Sequence, residues 1–208
     1  MATIGGMDTT ATLPQEAAHG MAGDPVLTGN ILGLDPGNLQ SGWVIYDPRE
    51  LNVPWSGTTP NEDLKTQLEV FSETCSLMVM ETMRPRGMPT SLQEMETLIW
   101  SGRFIEAWHR PYRMVYRDKA KLHLCGKMAA KDTNVRQALI DRFGGNDIAI
   151  GGERCAKCKG KGWFGAGRPV CQECDGKQWA HPPGCLHKVS SHSWPALAVA
   201  LTWIDQHE

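Results

Sequence analysis

Two acidic residues and two pairs of cysteines are the side chains of this sequence with the clearest capacity for chemistry. Asp35 and Glu81 each follow a short apolar stretch, at the point where a buried strand would end. Carboxylates that converge from different elements can hold two divalent ions about 3.5–4 Å apart, and such a pair of ions hydrolyses phosphodiesters. The Cys-x-x-Cys pairs favour a different metal, because thiolates are soft ligands that suit zinc.

The cysteine pairs, Cys155 with Cys158 and Cys171 with Cys174, are separated by twelve residues. This spacing predicts a structural zinc site, in which two Cys-x-x-Cys turns complete one tetrahedron and leave no position open for catalysis. Two disulfides or free thiols are the alternative. The chain has seven cysteines, which cannot all pair within it, and a zinc site fits a reducing compartment better than a disulfide framework does.

The pattern Cys-x-x-Cys-x-Gly-x-Gly also resembles the zinc-binding repeats of DnaJ-type chaperones over one short stretch, with no J-domain pattern beside it. We interpret the segment as a shared zinc-ribbon module. Lys159 and Lys161 are its candidate DNA contacts, although the negative charge of a zinc–thiolate centre offsets most of the module's excess of bases. Trp163 and Phe164 are equally consistent with stacking on DNA bases and with a small core inside the module.

Basic residues are concentrated in the second half of the chain. Residues 1–80 contain ten acids and two bases, whereas residues 110–131 contain seven bases and one acid. This asymmetry suggests an anionic partner such as nucleic acid, although a solvated surface would have the same composition. The candidate DNA-binding residues in or near this segment are Arg84, Arg86, Arg117, Lys119, Lys121, Lys127 and Lys131.

The elements that must position these residues alternate between strands and helices. The sequence predicts strands at 30–35, 42–47, 50–57, 77–80 and 113–116, and helices at 61–74, from 91 to about 110, from 131 or 132 to 143, and at 193–206. Ser91 and Glu94 have the spacing of a capping box. Asp132 is expected to cap its helix, with metal binding as the alternative. This order of elements indicates an α/β layer fold with a mixed sheet.

Four segments, in this order, resemble the motifs of RuvC-type Holliday junction resolvases. Ile31-Leu-Gly-Leu-Asp-Pro-Gly37 with Ser41-Gly-Trp43 is similar to their opening motif, and Met78-Val-Met-Glu81 is similar to their second acidic strand. The segment from Lys121 to Val135 resembles their basic segment that leads into a helix. His192-Ser-Trp-Pro-Ala-Leu-Ala-Val-Ala200 resembles their final helix. Residues 1–28, the cysteine module and the composition of the loop at 82–90 suggest a phage-encoded relative.

The resemblance implies an RNase H-like fold, a homodimer, and symmetric nicking of four-way DNA junctions with Mg²⁺ or Mn²⁺ as the catalytic cofactor. It implies that Asp35, Glu81 and His192 are catalytic metal ligands, and that Lys121 and Lys131 meet phosphates near the scissile bond.

We therefore expect three parts in this chain. A flexible leader at 1–28 precedes an RNase H-like nuclease domain formed by 29–152 and 186–208, which is interrupted by a zinc-binding insertion at 153–185. The zinc is expected to be structural.

One position departs from the motifs of the family. Pro195 stands where those proteins have their last aspartate, and proline cannot bind a metal. Two carboxylates and a neutral imidazole balance only two of the four charges of two divalent ions. Weak metal binding without DNA and a preference for Mn²⁺ are therefore expected, since Mn²⁺ accepts imidazole better than Mg²⁺ does. His187 offers a substitute ligand, although a place in a connecting loop is the simpler interpretation.

Two functions remain open from the sequence. The first is a crossover junction endodeoxyribonuclease, a structure-selective enzyme that resolves Holliday junctions and branched DNA during recombination and repair. The second is a non-catalytic junction-binding protein with a degraded metal site, which Pro195 favours. An actin-like kinase is disfavoured, because that fold needs a second phosphate loop outside the cysteine module.

Membrane association and secretion are not expected. No apolar run approaches the length of a membrane span, and no signal-peptide pattern is present. We expect a cytoplasmic protein, in the host cytoplasm if it is phage-encoded, with no small-molecule cofactor.

Overall fold

The structure, a computed structural model, describes residues 29–84, 87, 89–163 and 169–207. The leader predicted at 1–28 lies outside the described residues. The main strands are β1 (Asn30–Asp35), β2 (Gln40–Asp47), β3 (Asn52–Pro60), β4 (Cys75–Thr82) and β5 (Tyr112–Tyr116). They form one mixed sheet in the order β3-β2-β1-β4-β5. The pairs β1–β2 and β2–β3 are antiparallel, whereas β1–β4 and β4–β5 are parallel.

Helices cover both faces of this sheet. They are α1 (Asn61–Thr74), α2 (Leu92–Ala107), α3 (Arg117–Cys125), α4 (Asp132–Arg142) and α5 (Ser193–His207). The predicted capping box begins α2, where the Ser91 hydroxyl accepts the Glu94 N–H at 3.2 Å and the Glu94 carboxylate accepts the Ser91 N–H at 2.8 Å. Helix α3 was not predicted, because it is short and polar and buries only Ala120.

The alternation of side chains along the strands divides the core into two layers. Leu32 and Leu34 of β1, with Met78 and Met80 of β4, belong to the apolar cluster that includes residues of α1 and α2. Ile31, Leu77 and Val79 are their neighbours on the opposite face and pack with residues of α3, α4 and α5. Both central strands are thus buried on both faces, as their continuous apolar sequences indicate.

Helix α5 is buried almost all round and lies directly on the sheet. Trp194 and Trp203 are only 6% and 3% exposed, so both tryptophans belong to the core. A methyl group at Gly33 would overlap the carbonyl oxygen of Ala196. The absence of a side chain at Gly33 therefore allows the first turns of α5 to rest on the backbone of β1.

The cysteine module is flanked by a separate two-stranded sheet, in which β6 (Glu153–Arg154) pairs antiparallel with β7 (Trp179–His181). A single π-helical turn, Asn146–Ile150, precedes it. Within the described part of the chain, no helix is both long and apolar enough to cross a membrane.

Candidate active site

Asp35 and Glu81 lie side by side at the carboxyl ends of two parallel central strands. Leu34 of β1 pairs with Met80 of β4, so the next residue of each strand is one of the two acids. Both residues are almost fully buried, with 8% of Asp35 and 7% of Glu81 exposed. Because ligands of open α/β sheets bind outside the carboxyl ends of the strands, this edge is the expected place for chemistry.

The burial of this acid pair opposes its ionisation. Desolvation raises the pKa of Asp35 well above its usual value, and the negative charge of Glu81 raises it further. Desolvation also raises the pKa of Glu81, although Arg117 partly offsets this effect. A divalent cation would reverse the effect, since a nearby positive charge favours the ionised carboxylates.

A buried polar network holds the turn that follows Asp35. The Ser41 hydroxyl accepts the Gly37 N–H at 3.1 Å and donates to the side-chain oxygen of Asn61 at 2.7 Å. The Asn61 side-chain amide donates to the Gly37 carbonyl at 2.9 Å. The turn is therefore tied to β2 and to the start of α1, and it fixes where the Asp35 carboxylate points.

His192 directly precedes α5, and it lines the cleft on the α4 side of Asp35. Its Nδ1 atom lies 3.6 Å from Oδ2 of Asp35, and 54% of its side chain is exposed. A methyl group at Gly42 would overlap the His192 carbonyl, so β2 contacts the backbone here directly. The buried Ser193 hydroxyl donates to the Gly57 carbonyl at 2.9 Å and anchors the same segment. The structure thus places Glu81 and His192 each beside Asp35, whereas the four cysteines alone, among the described residues, form a cluster of three or more ligand atoms within 4.8 Å.

Arg117, at the start of α3, links Glu81 to a third carboxylate. Its guanidinium donates to Glu81 at 2.7 Å and to both oxygens of Asp132 at 2.9 Å. Lys121, one helical turn further on, lies 3.0 Å from the Asp132 carboxylate. Asp132 was expected to cap α4, and that prediction is wrong. Lys131 is the capping residue, and the Asp132 side chain binds these two cations and makes no capping bond.

These ion pairs keep Arg117 and Asp132 charged. Burial alone would lower the pKa of Arg117, but the charge and hydrogen bond of Glu81 raise it overall. Burial alone would raise the pKa of Asp132, but hydrogen bonds from Lys121 and Arg117 lower it overall. The site therefore contains one firmly ionised carboxylate beside two buried carboxylates that resist ionisation.

Two open clefts meet at Asp35. One has a volume of about 430 Å³ and runs between the acid pair and α2, where it is lined by Ser91, Thr97 and Ser101 among others. The other has a volume of about 650 Å³ and runs between α4 and the segment at 189–192. Because Asp35 and Arg117 line both clefts, an extended polyanion could cross the site from one cleft to the other.

The other predicted DNA-binding residues outside the cysteine module lie after β4, in α3 and between α3 and α4. Arg84 lies over the Tyr116 ring at 4.1 Å and Lys119 lies over it at 5.7 Å, so two cations flank one aromatic side chain. Lys127 and Lys131 are exposed near α4. Arg86 lies outside the described residues.

His187 contacts the turn that precedes the cysteine module and not the acid pair: its Nδ1 atom donates to the Ile150 carbonyl oxygen at 3.1 Å. It is not among the residues that line the two clefts at Asp35.

The four cysteines of the zinc module form a second candidate metal site. All are buried, and their sulfur atoms lie within 4.8 Å of one another. The distances between Cys155 and Cys171 and between Cys158 and Cys174 are 3.9 and 3.7 Å. A tetrahedron with Zn–S bonds of about 2.3 Å has sulfurs about 3.8 Å apart, so the cluster fits zinc. The Gly162 N–H donates to the Cys158 sulfur at 3.2 Å, as the glycines of the module predict.

The candidate DNA contacts of the cysteine module are only partly described. Lys159 and Lys161 are exposed, and Trp163 is 38% exposed. Phe164 lies outside the described residues. Trp163 pairs through its backbone with Val170.

The acid pair fits a hard divalent cation. Asp35 and Glu81 offer carboxylate oxygens, which Mg²⁺ and Mn²⁺ prefer. In the described part of the chain no hydrogen-bond donor reaches the Asp35 carboxylate, and the His192 ring lies 3.6 Å from it. An ionised carboxylate this deeply buried needs a cation or a donor.

Sequence reasoning missed the internal role of Arg117 and the position of Asp132. Arg117 was predicted only as a DNA contact, and Lys121 as a DNA contact and a catalytic residue at the scissile phosphate. Their spacing of four residues places both on one face of a helix, where they could share an acidic partner. That signal was lost because α3 itself was not predicted.

No protein-family model and no curated protein matches this sequence. Solved structures do match it. Thermus thermophilus RuvC in complex with a Holliday junction substrate has a TM-score of 0.52 and 16% sequence identity, and the match covers 84% of this chain and 92% of that one. T. thermophilus RuvC has a TM-score of 0.48 and 12% identity, over 83% of this chain and 92% of that one. A ROK hexokinase from T. thermophilus has a TM-score of 0.33 and 16% identity, over 85% and 64%.

The likeness to the junction-bound RuvC shows the fold. The five-stranded mixed sheet, flanked by helices, is RuvC-like. The predicted α/β, RNase H-like fold is therefore confirmed, and a four-cysteine cluster compatible with a zinc ribbon accompanies it.

Proposed function

We propose that this chain is a metal-dependent endonuclease that cuts branched DNA, with the four-way Holliday junction as its substrate. The observation that carries the proposal is the buried pair Asp35 and Glu81 at the open edge of the sheet, with Arg117 and Lys121 beside it. Acids for a divalent cation and bases for a phosphate are both needed for phosphodiester hydrolysis. The junction is favoured because the RuvC of similar fold was solved with a Holliday junction substrate.

In this proposal Asp35, Glu81 and His192 hold Mg²⁺ or Mn²⁺, which would supply an activated water and charge stabilisation at the phosphate. The chain's own contribution is position and charge. The Ser41–Asn61 network fixes the turn after Asp35, and the Gly42 contact fixes His192. Lys121 and Lys131 place positive charge where a developing phosphorane becomes negative.

The cations outside the acid pair support binding of a DNA backbone. Arg84 and Lys119 flank Tyr116, and Lys127 is exposed beyond α3. Such contacts supply affinity that falls with salt and carries little sequence information. Recognition of a branch would then depend on the shape of the DNA that reaches both clefts.

Symmetric nicking of a junction requires two active sites, and we propose a homodimer. The surface of α2 supports it, because Leu92, Met95 and Ile99 are 72%, 53% and 58% exposed along one helix. Apolar side chains grouped in this way mark an interaction surface more often than a solvated one. Light scattering of the wild type and of Met95→Lys would test this, and a wild-type monomer with bound junction would contradict it.

We propose that the cysteine module is a zinc-binding insertion at 153–185 within a nuclease domain made of 29–152 and 186–208. Closure of the module by the β6–β7 pair supports this division. Its exposed Lys159 and Lys161 are compatible with a DNA-binding arm.

The test is nicking of a labelled synthetic four-way junction against a linear duplex of the same sequence, in Mg²⁺ and in Mn²⁺. Wild type is expected to give paired, symmetric nicks in the junction, and Asp35→Asn should give none. His192→Ala should also lose the nicks if the imidazole is a ligand. Nicking that survives His192→Ala would mean that another residue completes the site.

A non-catalytic junction-binding protein is the second candidate, and the Arg117–Glu81 pair at 2.7 Å favours it together with Pro195. A guanidinium that already neutralises one acid reduces the need for a metal. Tight junction binding with no cleavage in either metal would establish this candidate and exclude the nuclease.

A further inference from the structure

The acid pair is short of negative charge for the chemistry proposed above. Asp35 and Glu81 contribute two charges, whereas two divalent ions carry four, and the His192 imidazole is neutral when it binds a metal. Nine-tenths of the Asp35 side chain is buried, and in the described chain no hydrogen-bond donor reaches it. A further anionic ligand within the site would therefore favour metal binding.

Asp132 lies where such a ligand is needed. It lines the 650 Å³ cleft together with Asp35 and His192. It also lines a small gap of about 20 Å³ together with Glu81 and Pro195. Pro195 lines this gap from α5 and contributes no side-chain oxygen atom to it. Asp132 brings a carboxylate to the same gap from α4.

The cations at this gap hold Glu81 and Asp132 together. Arg117 donates to Glu81 at 2.7 Å and to both oxygens of Asp132 at 2.9 Å, and Lys121 lies 3.0 Å from Asp132. Glu81 and Asp132 are thus held on the two terminal nitrogens of one guanidinium. About one third of the Arg117 side chain is exposed, and the residue lines both clefts that meet at Asp35.

We propose that Asp132 is a further ligand of the divalent-metal site, and that Arg117 and Lys121 occupy its carboxylate until a metal binds. This inference rests on the proposed function, because it concerns the same site. Metal binding would then release Arg117 and Lys121 to a phosphate of the DNA.

The opposing interpretation makes Asp132 an anchor that only positions Arg117 and Lys121. Both interpretations expect nicking to fall in Asp132→Asn, so activity does not separate them. Metal binding without DNA does separate them, because an anchor contributes no ligand atom.

The experiment is Mn²⁺ binding to the full, zinc-loaded chain without DNA, measured by calorimetry and by the electron paramagnetic resonance of free Mn²⁺. Asp132→Asn is expected to bind Mn²⁺ at least about tenfold more weakly than wild type. Even the loss of a residue that only supports a metal ligand has an effect of this size. Asp132→Glu should retain most of the affinity. Asp141→Asn, which removes an exposed acid from the same helix, is the matched control and should bind as wild type does.

Arg117→Gln tests whether Arg117 competes with the metal for the carboxylates. If Arg117 competes with the metal, this variant should bind Mn²⁺ several-fold more tightly than wild type. Wild-type affinity in Asp132→Asn, in a protein with an unchanged melting temperature and zinc content, would overturn the proposal, and so would a wild type that binds no Mn²⁺. Junction nicking is scored separately. Absent nicking with Asp132-dependent Mn²⁺ binding would defeat the proposed function and leave the ligand role intact.

Discussion

The two candidate metal sites of this chain are built in opposite ways. The cysteine site takes its four ligands from two short turns, and the sulfurs already lie within 4.8 Å of one another. The carboxylate site takes Asp35, Glu81 and His192 from β1, β4 and the segment before α5, and Arg117 neutralises part of it. One site is local in sequence, and the other exists only after the sheet and its helices have packed.

This difference has a physical consequence for each metal. Four convergent thiolates repel one another and have few other partners, so zinc binding and folding of the module should be one event. The carboxylates instead have partners of their own, and a divalent cation must compete with a guanidinium. The cysteine site should therefore hold its metal tightly, and the carboxylate site should exchange it readily.

The largest expected effect is the loss of zinc in Cys171→Ser. Structural zinc contributes about 10–16 kcal/mol of apparent binding free energy in zinc-finger peptides, so removal of one ligand should unfold the module. We expect the zinc content per chain to fall close to zero and proteolysis to appear within 153–185. Mass spectrometry of bound metal and of the digestion fragments measures both.

The control for this variant is Cys125→Ser, which alters a half-buried cysteine outside the cluster and should keep its zinc. Unfolding of the whole chain in Cys171→Ser would contradict the independence of the two sites.

The next largest effect is expected for Glu81→Gln, which should reduce junction nicking about 100- to 1000-fold, corresponding to several kcal/mol of transition-state stabilisation. Zinc content should not change. Glu62→Gln is the matched control, because Glu62 also pairs with an arginine, Arg103 at 3.4 Å, but on the surface. Equal nicking by both variants would refute the assignment of Glu81 as a ligand.

A smaller effect is expected for Gly42→Ala, which should push the His192 backbone away from β2. Overpacking of this kind costs about 1–3 kcal/mol, and displacement of His192 should weaken Mn²⁺ binding as well. Thermal unfolding and calorimetry measure the two changes.

Gly102→Ala in α2 is the control, because a methyl group there meets no atom within 4 Å; it should be neutral or stabilising. An unchanged Mn²⁺ affinity in Gly42→Ala would show that His192 is not a ligand.

The smallest effect concerns pH and stability without metal. The pKa of Asp35 is raised by burial and by Glu81, so the folded state holds this proton more tightly than the unfolded state does. Stability should therefore fall as the pH rises above about 4, the usual carboxyl pKa. Asp35→Asn should be more stable than wild type at pH 7, and the difference should shrink on acidification. Chemical denaturation at several pH values in a chelator tests this, and a less stable Asp35→Asn at pH 7 would contradict it.

The sequence was sufficient for the parts of the molecule that depend on neighbouring residues. The Cys-x-x-Cys pairs and the Ser91–Glu94 capping box have their partners within a few residues, and both appear as predicted. Asp35 and Glu81 could also be found, because each ends an apolar strand. Their adjacency was predicted only on the condition that the strands are neighbours, which the parallel β1–β4 pair satisfies.

The sequence was insufficient where a contact joins distant elements. Asp132 at the start of a helix has the pattern of a cap, and only the packing of α4 against α3 shows that Arg117 and Lys121 bind it. Arg117 likewise resembles any surface base in a basic segment. Its bond to Glu81 forms because α3 follows directly after β5. Helix α3 is short and polar and has no strong apolar pattern, so the sequence did not predict it.

The burial of α5 has a consequence for the living cell. This helix packs against β1, β2 and β4, so the middle of the sheet lacks its cover until residues 193–207 have left the ribosome. At about 5–20 residues per second, a nascent chain waits on the order of ten seconds or more between the synthesis of Asp35 and that of α5. Among the described elements, β1 is therefore covered by the helix most distant from it in sequence. We expect the site at Asp35 to be complete only after α5 has packed on the sheet and His192 has come to lie beside Asp35.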